Sequence, residues 1–188
     1  MNKPVFYDTD CLESFLFVEA GYILESLFSK IIIPEQVYNE LMDKSTPSVV
    51  KTNFENLKEG FVEIKEIIFS SQEYTTYKLI EKGFWSETGK VCGSGESAAL
   101  ALAHLNNGIV ASNNLSDVEE YIESLDIELI TSSMILTKAV ENDIISEDAA
   151  NGLWKGMVKE GIVLPNDSFT EYYGELYKID CERFLKGE

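Results

Sequence analysis

Apolar positions fall into two rhythms along the chain. Short runs rich in β-branched and aromatic residues, at Val5–Asp8, Ile31–Ile33, Phe61–Ile68, Gly108–Ala111 and Ile127–Ile130, predict strands. Within Phe61–Ile68, Val62 and Ile64 alternate with Glu63 and Lys65, as expected of a strand with one wet face. Between these runs the spacing turns helical. Cys11–Ala20 and Tyr22–Phe28 gather Leu12, Phe15, Leu16, Leu24, Leu27 and Phe28 into an apolar set. Pro34–Leu41 opens on a proline suited to a first helical turn. Lys44–Pro47 then breaks the chain, and Val49–Lys58 and Gln72–Lys82 read as helices. A polar, glycine-containing stretch from Gly83 to Gly95 leads into the Ala/Leu-rich helix Glu96–Leu105. Leu115–Leu125, Ser132–Asn142 and Glu147–Glu160 follow as helices, and Ser168–Leu185 reads as one polar, aromatic-studded helix with no evident docking face.

Strands alternating with helices predict an α/β fold, a three-layer α/β/α sandwich around a mostly parallel central sheet. The boundaries read as a domain over residues 1–165 and a C-terminal helical extension over 166–188. At 188 residues the chain is long enough for one well-buried core. No apolar run approaches the ~20 residues of a membrane span, and the start of the chain lacks the apolar stretch of a secretory signal. Cys11, Cys92 and Cys181 are too scattered for a disulfide framework or a zinc site, so a reducing cytoplasm is the expected setting. His104 is the only histidine, and its Ala/Leu-rich helix gives no support to a Ser–His or Cys–His nucleophile. Trp85, Trp154, Tyr172 and Tyr173 are expected to serve packing rather than base stacking.

Charge changes the picture. Thirty-three acidic residues against fifteen basic ones leave a net charge of −18, the reverse of what phosphate binding draws on. Two readings follow. Either the acidity is a solvated surface, with metal cations and a few lysines (Lys82, Lys90, Lys155, Lys159) recruiting a polyanion, or the partner is itself basic.

In an open α/β sheet the functional crevice lies beyond the carboxyl ends of the strands. Asp8, Thr9 and Asp10 follow the first strand, and Ser112, Asn113 and Asn114 follow Gly108–Ala111. Glu96 opens the Ala-rich helix, and Glu40 lies near the end of the helix begun at Pro34. Each has an ordinary explanation alone. Asp8-Thr9-Asp10 is a good helix cap, Glu96 suits a helix dipole, Glu40 would be a solvated helix residue, and Asn113-Asn114 is a turn signal. Together they offer carboxylates from separate segments, which is what a hard cation such as Mg²⁺ or Mn²⁺ requires.

The set resembles the PIN-domain family, as seen in VapC-type toxins and longer PIN proteins. The resemblance rests on Phe6-Tyr7-Asp8-Thr9, on Ile31 through Leu41, on Gly95-Glu96-Ser97-Ala98-Ala99-Leu100, and on Ile109-Val110-Ala111-Ser112-Asn113-Asn114, in that order over about residues 3–165. It implies a metal-dependent ribonuclease in which Asp8, Glu40 and Glu96 bind Mg²⁺ or Mn²⁺ and Asn114 takes a fourth position often held by Asp. Asp117 would be a supplementary carboxylate, while Thr9, Asp10 and Ser112 would support the site, Thr9 or Ser112 orienting a water or a phosphate oxygen. An RNA substrate, a homodimer and a small antitoxin-like protein are the implied partners. One enzyme rival is a haloacid-dehalogenase-like phosphatase, suggested by Asp8-x-Asp10, although no later acidic motif completes it. The non-enzyme rival is a PIN-like binding module docking a basic partner.

Overall fold

A computed structural model describes residues 3–186 of the chain. Its first half runs β1 (Val5–Tyr7), α1 (Thr9–Phe17), α2 (Gly21–Leu27), β2 (Ile31–Pro34), α3 (Glu35–Leu41), α4 (Ser48–Glu55), β3 (Val62–Lys65) and α5 (Gln72–Glu81). Then come α6 (Ser94–Leu105), β4 (Ile109–Ala111), α7 (Leu115–Ser124), β5 (Glu128–Ile130), α8 (Ser132–Glu141), α9 (Glu147–Lys159), α10 (Phe169–Glu175) and α11 (Tyr177–Phe184).

The strands form one five-stranded sheet in the order β3-β2-β1-β4-β5, all parallel. β1, β2, β4 and β5 are buried throughout, which explains their unbroken apolar runs: helices cover both faces. β3 is a partly exposed edge. Strand order reverses beside β1, so β1 and β4 diverge into connections on opposite sides and leave a crevice at their carboxyl ends. Two backbone bonds carry the sheet into that crevice: Asp8 N donates to Ala111 O at 2.9 Å, and Ser112 N donates to Ile130 O at 3.1 Å.

Three elements differ from their sequence-based expectation. The strand foreseen over Phe61–Ile68 ends at Lys65; Ile67 turns into the core, while Ile68 and Phe69 stay exposed. Pro34 finishes β2 instead of opening the next helix, since its ring supplies an extended φ and no N–H is needed there. The single C-terminal helix is two, broken at Leu176, because its aromatic residues serve different neighbours. Phe169 and Tyr172 are fully buried against Trp154 of α9, with ring centroids 6.1 Å and 5.6 Å from the indole. The indole N–H donates to Asn166 O at 3.1 Å. Phe184 of α11 is buried in its turn, and Lys186 N donates to Glu128 Oε1 of β5 at 3.0 Å. Among the described residues no helix is long and apolar enough to cross a membrane.

Candidate active site

Asp8 follows β1 and caps α1. One carboxylate oxygen, Oδ1, accepts the Cys11 N–H at 2.8 Å. The other, Oδ2, is buried and has no hydrogen-bond partner. Capping therefore explains half of this side chain and leaves the other half unexplained, since a buried acceptor left unmet is costly.

Around it lies a cavity of about 150 Å³ lined by Asp8, Thr9, Asp10, Glu40, Gly93, Gly95 and Glu96. Its carboxylates come from three parts of the chain. Glu40 arrives on α3 and is held at both oxygens: Thr9 Oγ1 donates to Oε2, and Gly95 N donates to Oε1 at 3.2 Å. Glu96, in the first turn of α6, reaches back to accept the Gly93 N–H at Oε2 (2.7 Å), and its Oε1 accepts from Asn114 Nδ2 at 2.8 Å. Both glycines leave room for these carboxylates, which a side chain at either place would push aside. A Cβ on Gly95 would lie 2.7 Å from Glu40 Oε2, and one on Gly93 would lie 2.5 Å from Glu96 Oε2.

Asn114 sits beside this cavity rather than in its wall. Its amide donates to Glu96 and, at 2.7 Å, to Asp117 Oδ2, so that one neutral side chain bridges two acids. Asp117 also stands outside the cavity wall and pairs with Lys90 at 3.1 Å. Ser112 is buried next to Asp8. Of the residues singled out in the sequence, the structure thus gathers Asp8, Thr9, Asp10, Glu40 and Glu96 around one space, with Ser112 and Asn114 in support.

Burial is the main reason Asp8, Asp10 and Glu96 hold protons more tightly than usual. It raises the Asp8 carboxyl to about 8, with Asp10 and Glu96 adding to the effect; the Cys11 N–H opposes it, as does the Ser112 hydroxyl, which lies close to the carboxyl without well-formed hydrogen-bond geometry. Asp10 is raised by burial and then by Asp117. Glu96 is raised by burial, against the hydrogen bonds from Asn114 and Gly93. For Asp117 burial also acts upward, but bonds from Lys90, Asn114 and Ser116 outweigh it and leave the carboxyl below its ordinary value.

Two further residues take roles that the sequence did not assign to them. Glu13 is raised by burial and by Asp10 and Glu40, which adds a fifth acid to the same field. Asn113, which looked like a turn residue, is a cross-brace. Its Nδ2 donates to Ser14 Oγ of α1 at 2.9 Å, and its Oδ1 accepts Ser132 N and Oγ at 2.9 and 2.8 Å. A larger groove of about 790 Å³ adjoins through Asp10, with Asn114, Ser116, Ile162, Leu164 and Asp180 in its walls; no lysine or arginine lines it.

The donor set is all oxygen, and the orphaned Asp8 Oδ2 marks a place for a cation, which together suit Mg²⁺ or Mn²⁺. Among the described residues, however, no three His, Cys, Asp or Glu side chains are drawn together as a formed metal cluster. Glu40 and Glu96 instead spend their oxygens on Thr9, Gly93, Gly95 and Asn114.

A family model described as a PIN domain matches residues 4–176. The chain belongs to the PIN-domain family, a nuclease-type fold. That membership removes the haloacid-dehalogenase reading of Asp8-x-Asp10. Among curated proteins nothing matches the chain.

Proposed function

We propose that this PIN-domain protein is a divalent-metal-dependent endoribonuclease whose centre is Asp8, Glu40 and Glu96. The observation that carries the proposal is the buried, unpartnered Oδ2 of Asp8, a residue lining a cavity ringed by further carboxylates. Those three residues would hold Mg²⁺ or Mn²⁺. When bound, such a cation offsets phosphate charge and lowers the pKa of a coordinated water. The chain's own residues do the positioning. Thr9 and the Gly95 N–H fix the Glu40 carboxylate, Asn114 and the Gly93 N–H fix Glu96, and the helix-capping bond from Cys11 fixes Asp8. Lys90, tied to Asp117 beside the site, would meet a substrate phosphate. The adjoining groove leaves room for nucleotides flanking the scissile bond, and its lack of cations suits their uncharged parts.

RNA as substrate follows the family resemblance, as does a toxin role with a small inhibitory partner. The net charge of −18 adds that such a partner would be basic. End-labelled RNA incubated with the purified chain and Mn²⁺ is expected to yield fragments with 5′-phosphate ends, and EDTA is expected to stop their formation. Intact RNA under all divalent metals would remove the nuclease reading.

A second reading has one observation in its favour. Asn114 bridges Glu96 and Asp117 as a neutral donor, so part of the acidic cluster is satisfied without a cation, as a pure docking module would need. Calorimetry separates the two. Tight Mn²⁺ binding that Glu96→Gln weakens at least tenfold supports the nuclease, and no binding by either protein supports the module.

A further inference from the structure

We propose that Phe69 and Tyr74 form a stacking platform for unpaired bases of an RNA substrate, on the sheet rim that also carries Asp8. This deepens the nuclease reading, rests on it for the identity of the substrate, and makes single-stranded RNA the substrate class.

The platform begins with a turn. β3 ends at Lys65, and because the sheet is all parallel the chain leaves it on the same rim where Asp8 follows β1. Neighbouring strands lie about 5 Å apart, so these two strand ends are separated by roughly 10 Å. Ser71 N donates to Ile68 O at 3.0 Å, closing a tight turn in which Ser70 takes a φ of 67°. That left-handed conformation is costly for a residue with a side chain and persists only where its surroundings fix it. Ser71 supplies the fixing: it caps α5, its Oγ accepting the Tyr74 N–H at 3.0 Å. Phe69 is thereby held out at the corner of the turn, 76% exposed, with Ile68 beside it.

From that corner aromatic rings run inward. Phe69 meets Tyr74 edge to face with centroids 4.9 Å apart, and Tyr74 meets Tyr77 at 6.4 Å. The Lys78 ammonium lies 4.6 Å from the Tyr77 centroid and 6.0 Å from that of Tyr74. Tyr77 anchors the series: it is buried, its hydroxyl donates to Glu81 Oε1 at 2.7 Å, and the same oxygen lies 2.9 Å from Ser94 Oγ. Glu81 also binds Lys78 at 2.6 Å, which holds the lysine over the rings. Ser94 stands between Gly93 and Gly95, both in the wall of the acidic cavity. A continuous set of contacts thus joins exposed Phe69 to the proposed cleavage centre and orders the rings before a ligand arrives.

Charge selects a base as the occupant. With a net charge of −18, and with no lysine or arginine among the described residues lining the cavity or its adjoining groove, phosphates offer this protein little attraction. A base has an uncharged face that stacks on an aromatic ring whatever the sequence. A duplex keeps those faces inside its helix, so unpaired nucleotides are the ones that Phe69 can meet.

The test is stopped-flow anisotropy in Mn²⁺, read before turnover, with a fluorescein-labelled single-stranded oligouridylate of about ten nucleotides. Phe69→Ala is expected to weaken binding by about fivefold to a hundredfold. Phe69→Trp is expected to keep wild-type affinity and to show indole quenching when the oligonucleotide binds. Phe84→Ala, which removes another exposed ring at the far end of α5, is expected to bind as wild type does. The same strand annealed to its complement is expected to bind more weakly than the single strand. Cleavage with an affinity that Phe69→Ala leaves unchanged would retain the nuclease and overturn the platform, pointing to a protein-docking role for the exposed rings. An equal loss in Phe84→Ala, or duplex bound as well as single strand, would overturn it too. Binding that depends on Phe69 in a protein that cleaves nothing would support the platform and remove the nuclease.

Discussion

At the scale of single residues, the site is a problem of several acids sharing one buried space. Asp8 shows it most clearly. Its folded-state pKa is raised to about 8 from an ordinary 3.8. The sign follows directly: the folded protein keeps a proton that the unfolded chain releases, so stability is greatest below about pH 4 for this group and is lost as pH rises toward 8. Asp8→Asn removes that penalty and is expected to raise the thermal unfolding temperature at pH 8 while changing it little at pH 4. A cation bound there favours the ionised carboxyl. Mn²⁺ affinity is therefore expected to rise between pH 6 and 8, with proton release measurable by calorimetry in buffers of different ionisation heat. Asn114→Asp is the complementary test. It replaces a donor shared by Glu96 and Asp117 with a third acceptor, and without added metal it should cost about 1–3 kcal/mol of stability. Mn²⁺ is expected to return part of that loss, as any ligand selective for the folded state does.

Much of this residue-level picture was legible in sequence, because strand ends in an α/β fold announce where polar residues matter. Asp8 stood at a strand end and Glu96 at a helix start, but the choice of Asp8, Glu40 and Glu96 as one set came from the family resemblance, since Glu40 alone reads as a solvated helix residue. The pairing of Asp117 with Lys90 was not, because nothing in the intervening stretch indicates that the loop before α6 folds over the start of α7. Nor was Glu13, an unremarkable helix acid until α3 is packed beside it. The roles of Gly93 and Gly95 had a partial signal in Gly-Ser-Gly before a helix, but the closeness of the two carboxylates to bare backbone appears only once Glu40 and Glu96 are placed against them.

At the scale of elements, the crevice depends on helices being held in register with the sheet. Asn113 does this by joining α1 to the start of α8. Asn113→Ala leaves Ser132 N without its partner and is expected to destabilise the fold by about 1–3 kcal/mol, read by chemical denaturation. The C-terminal helices make a second such case. Their composition showed aromatic residues without showing a target, since the periodicity of one long helix hid the break at Leu176. In the structure Phe169 and Tyr172 complete a core around Trp154 that α8 and α9 leave unfinished. A chain stopped after Pro165 is expected to lose cooperative unfolding and to bind hydrophobic dye. A sharp, near-wild-type transition would show the C-terminal helices to be dispensable.

At the scale of the whole molecule, strong acidity and a proposed polyanionic substrate must coexist. Phosphate binders commonly lose affinity steeply with salt because lysines and arginines release counterions. With so few cations here, RNA affinity in the presence of Mn²⁺ is expected to fall only gently as monovalent salt rises, and EDTA is expected to abolish it. The most direct test of the account compares single-turnover RNA cleavage by wild type and by Asp8→Asn in Mn²⁺, with both proteins shown to be folded. The account predicts cleavage by wild type and a loss of at least a hundredfold in Asp8→Asn, even though the variant is the more stable protein at neutral pH. Equal cleavage by the two would contradict it.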